Sequence, residues 1–276
     1  MSAPHVSVVA PVYNGAGFIA NNVRAIVDAL EGLGRPFEVI VVCDGSSDDS
    51  AARAASVGDP RVRVIRSPSN EGKGAAILRG VGEARGRLIG WIDSDLDIDP
   101  GVLVDAARRF DSGEIDAVVG SKRHPGSDVT YPWLRRVYSW GFQTMIRVFF
   151  RVNVRDTQVG AKLFRREMIE TVAPLLLVKR YAFDVEVIAV GAEFGFDRVE
   201  EVPIRLDYQF TGTGIDWRAV RRMAQDTLAI AYRVHVRHWY VRRFAALQRQ
   251  RVDAAAGRPL EPTPPEAQAN PLVATQ

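Results

Sequence analysis

The segment Asp93-Ser94-Asp95-Leu96-Asp97 sets carboxylates at alternate positions directly after an apolar run, Leu88 to Ile92. Oxygen ligands in that pattern suit a hard divalent cation such as Mg2+ or Mn2+. A cation held by Asp93, Asp95 and Asp97 could bridge diphosphate oxygens and neutralise the charge on a departing nucleotide. In isolation the same residues also suit a solvated turn leading into a helix near Pro100, for which Asp99 suffices as a cap. Other apolar runs end in comparable chemistry. Pro11-Val12-Tyr13-Asn14 offers a ring to stack on a base, and Cys43-Asp44-Gly45-Ser46-Ser47-Asp48 offers a carboxylate to a base N–H, although Asn14, Ser46 and Ser47 equally suit helix caps. Asn70-Glu71-Gly72-Lys73-Gly74 puts Lys73 near a helix start, where phosphate binds well; taken alone it is also an ordinary turn.

Residues so far apart in sequence need a scaffold that gathers them. Val6 to Val12, Phe37 to Val42, Val62 to Ile65, Leu88 to Ile92 and Ala117 to Val119 are short Val- and Ile-rich runs typical of buried parallel strands. Helix-like stretches, Phe18 to Leu33, Asp49 to Val57, Ala75 to Arg85 and Val102 to Phe110, separate them. This alternation predicts an α/β fold, a mostly parallel sheet with helices on both faces, whose ligands bind beyond the carboxyl ends of the strands.

The second half differs. Trp133 to Phe150 predicts an aromatic and basic helix, followed by an irregular stretch through Asp156 and Gly160. Phe183 to Phe194 predicts a helix and Val199 to Tyr208 a strand. One long helix is expected from Trp217 to about Gln250, with Val220, Met223, Thr227, Ile230, Val234, Val241 and Phe244 on one face. The expected division is a catalytic domain over 1–214, a basic amphipathic helical extension over 215–251 and a disordered tail over 252–276.

The 276 residues suffice for a full core, and the net charge of +3 is modest, with arginines crowded between Arg135 and Arg251. One cysteine, Cys43, excludes an internal disulfide and fits a reducing compartment. Met1 to His5 carry no basic-then-apolar leader, and no run reaches the roughly 18 to 20 apolar residues that span a bilayer. The expectation is a cytoplasmic protein, peripheral on a membrane surface. Aromatic and basic residues are mixed in Trp133 to Phe150 and in the final helix, which suits an anionic bilayer interface; a core face or a homo-oligomer contact suits them equally. Nucleic acid is an unsuitable partner, because the acidic cluster would repel a phosphate backbone.

The four early segments, in this order, resemble the family-2 glycosyltransferases. There, a strand ending Pro-x-Tyr-Asn, an Asp-Gly-Ser-x-Asp turn, an Asn-x-Gly-Lys-Gly loop and an Asp-x-Asp strand end succeed one another. The resemblance implies the GT-A fold, with Asp93 and Asp95 on metal and nucleotide, and with Pro11, Tyr13, Asn14, Asp44, Lys73 and Ser94 around the nucleotide sugar. Gly120-Ser121-Lys122-Arg123-His124, Asp156-Thr157-Gln158-Val159-Gly160-Ala161-Lys162-Leu163-Phe164, Tyr181-Ala182-Phe183-Asp184-Val185-Glu186 and Glu201-Val202-Pro203 are similar to the branch that makes polyprenyl-phosphate sugars. The dolichyl-phosphate glucosyltransferases are the nearer match within it and the mannosyltransferases the more distant. The branch implies a polyprenyl phosphate acceptor, inversion at the sugar carbon, and UDP-glucose as donor with GDP-mannose as the alternative.

A phosphate acceptor is already anionic near neutral pH and needs positive charge more than a general base. Lys122, Arg123 and Arg135 are candidates for that cradle, or are simply solvated surface charges. Asp156 and Gln158 are candidates to orient sugar or acceptor. A hydroxyl acceptor would instead need a base, for which Asp184 or Glu186 is the candidate; two apart on a helix, they do not share a face. Three departures from the family pattern stand out: Gly15 where an acidic residue is common, Cys43 in place of an aspartate, and Gly212-Thr213-Gly214 in place of Gly-Ser-Lys.

Overall fold

The computed structural model describes residues 3–127, 143–150, 152, 154–180, 182–206 and 217–256. Its strands are β1 (Val6–Val12), β2 (Phe37–Asp44), β3 (Val62–Ser67), β4 (Leu88–Ile92), β5 (Ala117–Ser121), β6 (Ala161–Arg165) and β7 (Val199–Pro203). The helices are α1 (Ile19–Glu31), α2 (Ser50–Ala55), α3 (Lys73–Glu83), α4 (Gly101–Arg109), α5 (described over 143–150), α6 (Arg166–Val172), α7 (Phe183–Glu193), α8 (Trp217–His235) and α9 (Trp239–Ala255). The seven strands form one sheet in the order β3-β2-β1-β4-β6-β5-β7. All neighbouring pairs are parallel except those of β6, which runs antiparallel to both β4 and β5.

Alternation along the central strands divides the interior into two cores. Val9, Ile40, Val42, Ile89 and Trp91 face one side, against α3, α6, α7, α8 and α9. Val8, Ala10, Val39 and Val41 face the other, against α1, α2 and α4. The apolar stripe of α1, Ile19, Val23, Ile26, Val27 and Leu30, is wholly buried there. At about 1.5–3 kcal/mol for each such side chain, that stripe and not helix propensity holds the helix in place.

The five strands and four helices anticipated in the first 120 residues are all present. The stretch read as irregular through Gly160 is followed at once by β6, a strand not expected from the sequence, whose Lys162 breaks the apolar pattern yet is 1% exposed. The strand expected to reach Tyr208 ends at Pro203. The single long terminal helix is two helices, broken at His238, whose φ of +45° is left-handed. That break turns the face: Thr227, Ile230 and Val234 are buried as expected, but beyond it Tyr240 is buried and Val241 exposed. α9 also continues through Ala255, past the Val252 where a tail was expected. Of the aromatic helix expected from Trp133, the described part is α5; Trp133, Arg135 and Gly212-Thr213-Gly214 lie outside the described residues.

The two terminal helices are anchored by one buried polar knot. Glu186, with no exposure, accepts hydrogen bonds from the amides of Leu177 (3.0 Å) and Val178 (2.7 Å), from the Tyr240 hydroxyl (2.6 Å) and from Arg233 Nη1 (3.1 Å). Burial raises the Glu186 carboxyl above its ordinary range, against the pull of Tyr240 and Arg233. Tyr240→Phe should therefore cost about 1.5–3 kcal/mol of stability, the range for a hydrogen bond to a buried charged group. Urea denaturation followed by tryptophan fluorescence measures it. An unchanged midpoint would mean that α9 does not depend on this knot.

Candidate functional site

The carboxyl ends of β1, β2 and β4 and the start of α3 open into one cleft of about 580 Å3. Pro11, Val12 and Tyr13 line it from β1, with Tyr13 54% exposed and presenting its ring. Asp44, at the end of β2, is buried and aims its carboxylate at the next loop, accepting from the amides of Glu71 (3.1 Å) and Gly72 (2.8 Å). Gly72 has φ +100°, and a Cβ there would meet the Lys179 carbonyl at 2.6 Å, so the loop tolerates only glycine. Asn14 takes a different part from the one expected. Its side-chain oxygen accepts from the Ser47 amide (2.9 Å), its own amide donates to Ser46 Oγ (3.1 Å), and it stands outside the cleft lining. It pins the first loop to the second. Gly15 has no room for the acidic side chain common in the family, because a Cβ would sit 2.6 Å from both Phe18 and Val12.

Asp93, Ser94 and Asp95 line the cleft beyond β4; Asp97 does not. Ser94 Oγ donates to the Pro11 carbonyl (2.7 Å), tying this turn to β1. Leu96 then adopts φ +53° and its amide donates to the Asp93 carbonyl (3.2 Å), so the chain reverses between Asp95 and Asp97. Among the described residues no three acidic, imidazole or thiol side chains gather closely enough to hold a metal, and Asp97, the third residue of the expected trio, stands outside the cleft lining. Asp93 and Asp95 remain a chemically suitable pair of hard oxygen donors, and their crowding fits a cation. Asp95 is pushed above the ordinary aspartate range, first by lost hydration and then by repulsion from Asp93 and Asp97. The Asp99 carboxylate accepts from the Gly101 amide (2.7 Å) at the start of α4, so neither Asp93 nor Asp95 is needed there as a cap.

Lys73, in the first turn of α3, places Nζ 2.5 Å from Asp93 Oδ1. Burial alone would lower its pKa, but Asp93, Asp184 and Asp95 together raise it, so the ammonium stays charged. Behind Asp93 stands Gly160, where a Cβ would lie 2.0 Å from Asp93 Oδ2. Gln158 lines the cleft, and its Nε2 is buried without a hydrogen-bond partner among the described residues. Asp184, in the first turn of α7, also lines it and accepts from Trp91 Nε1 (3.1 Å) and from Lys162 Nζ (2.8 Å), whose pKa burial lowers.

Other expected residues stand apart. Asp156 accepts from the amides of Lys122 (3.3 Å) and Gln158 (3.2 Å), so it shapes the loop carrying Gln158 without lining the cleft. Lys122 and Arg123 also lie outside the lining. Glu186 is withdrawn as a general-base candidate, being fully buried and engaged by four donors. Sequence reasoning missed two residues: Lys162, inside a segment quoted only for its resemblance, and Arg180, which lines the cleft just before α7. A lone arginine between the apolar run Leu175–Val178 and a helix start was the available signal for the second.

Residues 7–173 match the model of the family described as Glycosyl transferase family 2. The chain is 34% identical over 244 residues to Glycosyltransferase AglD of Haloferax volcanii, covering 86% of this chain and 39% of that protein, so it spans well under half of that relative. It is 26% identical over 254 residues to a dolichyl-phosphate beta-glucosyltransferase of Dictyostelium discoideum, covering 86% of this chain and 77% of that one. Among solved structures it is similar to glucosyl-3-phosphoglycerate synthase from Mycobacterium tuberculosis in complex with Mn2+, UDP and phosphoglyceric acid. That similarity has a TM-score of 0.63 at 22% identity, over 83% of this chain and 78% of the other. The fold is GT-A.

The Lys162–Asp184 pair is open to test without any ligand. Lys162→Met or Asp184→Asn alone leaves a buried group uncompensated and should cost about 3–5 kcal/mol. The double variant should cost clearly less than the sum. Urea denaturation of all four proteins gives the coupling, and strict additivity would mean that the two side chains do not depend on each other.

Proposed function

The chain belongs to glycosyl transferase family 2, and from that premise we propose that it transfers glucose from UDP-glucose to a polyprenyl phosphate, with inversion, assisted by Mg2+ or Mn2+. The observation that carries the reading is the cleft, where an exposed ring, a lysine at a helix start and a pair of crowded aspartates converge. Relatives named dolichyl-phosphate beta-glucosyltransferase support the sugar and the lipid phosphate. Similar structures holding UDP with Mn2+ or Mg2+ support the nucleotide and the metal.

In this reading Tyr13 stacks on the base and Asp44 shapes the loop beside it. Asp93 and Asp95 would hold the cation, which when bound supplies charge neutralisation to the departing diphosphate. Lys73 adds positive charge at the amino end of α3, where a phosphate is further favoured by the helix. The unpartnered Gln158 Nε2 and the Asp184 carboxylate are polar groups able to orient sugar hydroxyls. An oxygen of the acceptor phosphate attacks the anomeric carbon, and a new C–O bond forms as the bond to the diphosphate breaks. The electron pair of that bond leaves with UDP. The acceptor is already ionised, so no base is required, consistent with Glu186 being locked in the core.

Incubation with a panel of radiolabelled nucleotide sugars and either a short polyprenyl phosphate or the matching polyprenol tests each part. Glucose should move from UDP-glucose to the phosphate, EDTA should stop it, and Asp95→Ala should abolish transfer with the fold intact. Preference for GDP-mannose would replace the donor, and equal use of the alcohol would overturn the phosphate acceptor in favour of a hydroxyl.

A lipid acceptor also puts the protein at a membrane surface, and we propose attachment through the basic and aromatic residues of α5, α8 and α9. Among the described residues no helix is long and apolar enough to cross a membrane. Binding to anionic vesicles should weaken as ionic strength rises. Equal sedimentation with neutral and anionic vesicles would remove the electrostatic contribution.

A further inference from the structure

We infer that Arg180 binds a substrate phosphate in this cleft, the task for which the sequence suggests Lys122, Arg123 and Arg135. The inference rests on the proposed function to the extent that the substrates carry phosphate.

Among the described residues lining the cleft, two are basic, Lys73 and Arg180. Lys73 is already held by Asp93 at 2.5 Å. Beneath Asp184, Lys162 is fully buried and serves that carboxylate. Arg180 differs from both. It is exposed at the cleft wall, and its guanidinium makes no hydrogen bond or ion pair among the described residues, although Asp226 on α8 senses its charge. An anionic substrate entering beside Asp44, Asp93, Asp95 and Asp184 meets four carboxylates and a lysine already paired with one of them, so an uncommitted guanidinium there has a clear electrostatic purpose. Its planar fork suits two phosphate oxygens at once.

The backbone that presents Arg180 is fixed on both sides. Glu186 takes the amides of Leu177 and Val178, three and two residues before it. The Lys179 carbonyl accepts from the Gly74 amide (2.9 Å), and the Arg180 carbonyl accepts from the Phe183 amide (3.1 Å) at the start of α7. The stem of the side chain runs against the glycine loop, since a Cβ on Gly72 would lie 3.1 Å from Arg180 Cγ. The guanidinium is thus launched from a rigid base next to the loop that carries Lys73. This is the preorganisation that phosphate capture requires.

The test uses the whole protein with Arg180→Ala and Arg180→Lys, and calorimetry with pyrophosphate and with UDP in the presence of Mn2+ runs beside transfer kinetics. Arg180→Ala should lower transfer efficiency by roughly ten- to a hundredfold, as expected for a lost charge-assisted contact. Arg180→Lys should recover part of it, and the urea midpoint should stay near that of the wild type because the side chain is exposed. Weaker pyrophosphate and UDP binding would identify the donor diphosphate as the bound group. Unchanged UDP binding with a raised KM for polyprenyl phosphate would identify the acceptor. Wild-type transfer kinetics in Arg180→Ala, with unaltered pyrophosphate binding, would overturn the assignment while leaving the glycosyltransferase reading intact. A wild-type protein that bound neither pyrophosphate nor UDP would overturn both.

Discussion

The buried pair of Lys162 and Asp184 lets a carboxylate stand at the mouth of an apolar core. Lys162 comes up from β6 with its side chain wholly enclosed, and Asp184 Oδ1 meets its ammonium at 2.8 Å. Isolating either charge there would cost several kcal/mol, so each explains the presence of the other. Each has a further partner: Trp91 Nε1 donates to the same carboxylate oxygen, and the ammonium donates to the Val159 carbonyl. Trp91 in turn stacks on Phe164 at 4.8 Å, so the polar pair is framed by aromatic packing. The antiparallel insertion of β6 makes this possible, because the register that sets Trp91 opposite Lys162 also runs Gly160 behind Asp93. One strand therefore supports both acidic walls of the cleft.

The other wall depends on polar groups that hold backbone and leave substrate recognition to their neighbours. Asp44 takes two amides of the glycine loop, Glu186 takes two amides ahead of Arg180, and the two segments meet where Gly74 donates to the Lys179 carbonyl. Glu186 is itself fixed by Arg233 and Tyr240, on α8 and α9. The terminal helices thus reach the cleft through connected buried and part-buried hydrogen bonds and the short segment 177–180. Their order, and the order of the residues that face substrate, are linked by contacts and not merely by proximity.

The legibility of these features in the sequence follows from their physics. Strands β1 to β5 are plain because each is an apolar run closed by turn residues, and the chemistry stands immediately after them: Tyr13, Asp44, Lys73, Asp93 and Asp95 all reach the cleft. β6 is hidden because a lysine interrupts its short apolar run, and nothing local shows that a carboxylate more than twenty residues later pairs with it. The break at His238 is hidden because helical periodicity continues across it. Asn14, Asp156 and Glu186 have the residue types of a site, yet they serve the backbone. A polar side chain near a loop satisfies amides as readily as ligands, and only the fold shows which it does.

Among the described residues, three non-glycine positions adopt left-handed backbone, Asn14, Leu96 and His238, and one of them sits in the acidic turn. Leu96, a branched residue, is held in left-handed backbone that ordinarily costs about 1 kcal/mol or more, and the turn it makes leaves Asp95 between two like charges. A glycine at that position would relieve the strain but lose the packing of Leu96 against the core, and an asparagine in place of Asp95 would relieve the repulsion. Ser94, bonded to the Pro11 carbonyl, and the Leu96 amide, bonded to the Asp93 carbonyl, hold the strained form in place. In the Asp93–Asp97 turn, strain and like-charge crowding coincide at the end of β4, a combination more common at functional sites than in plain turns. A bound cation, as proposed above, would supply the positive charge that the two carboxylates lack, beside a lysine that already pairs with one of them.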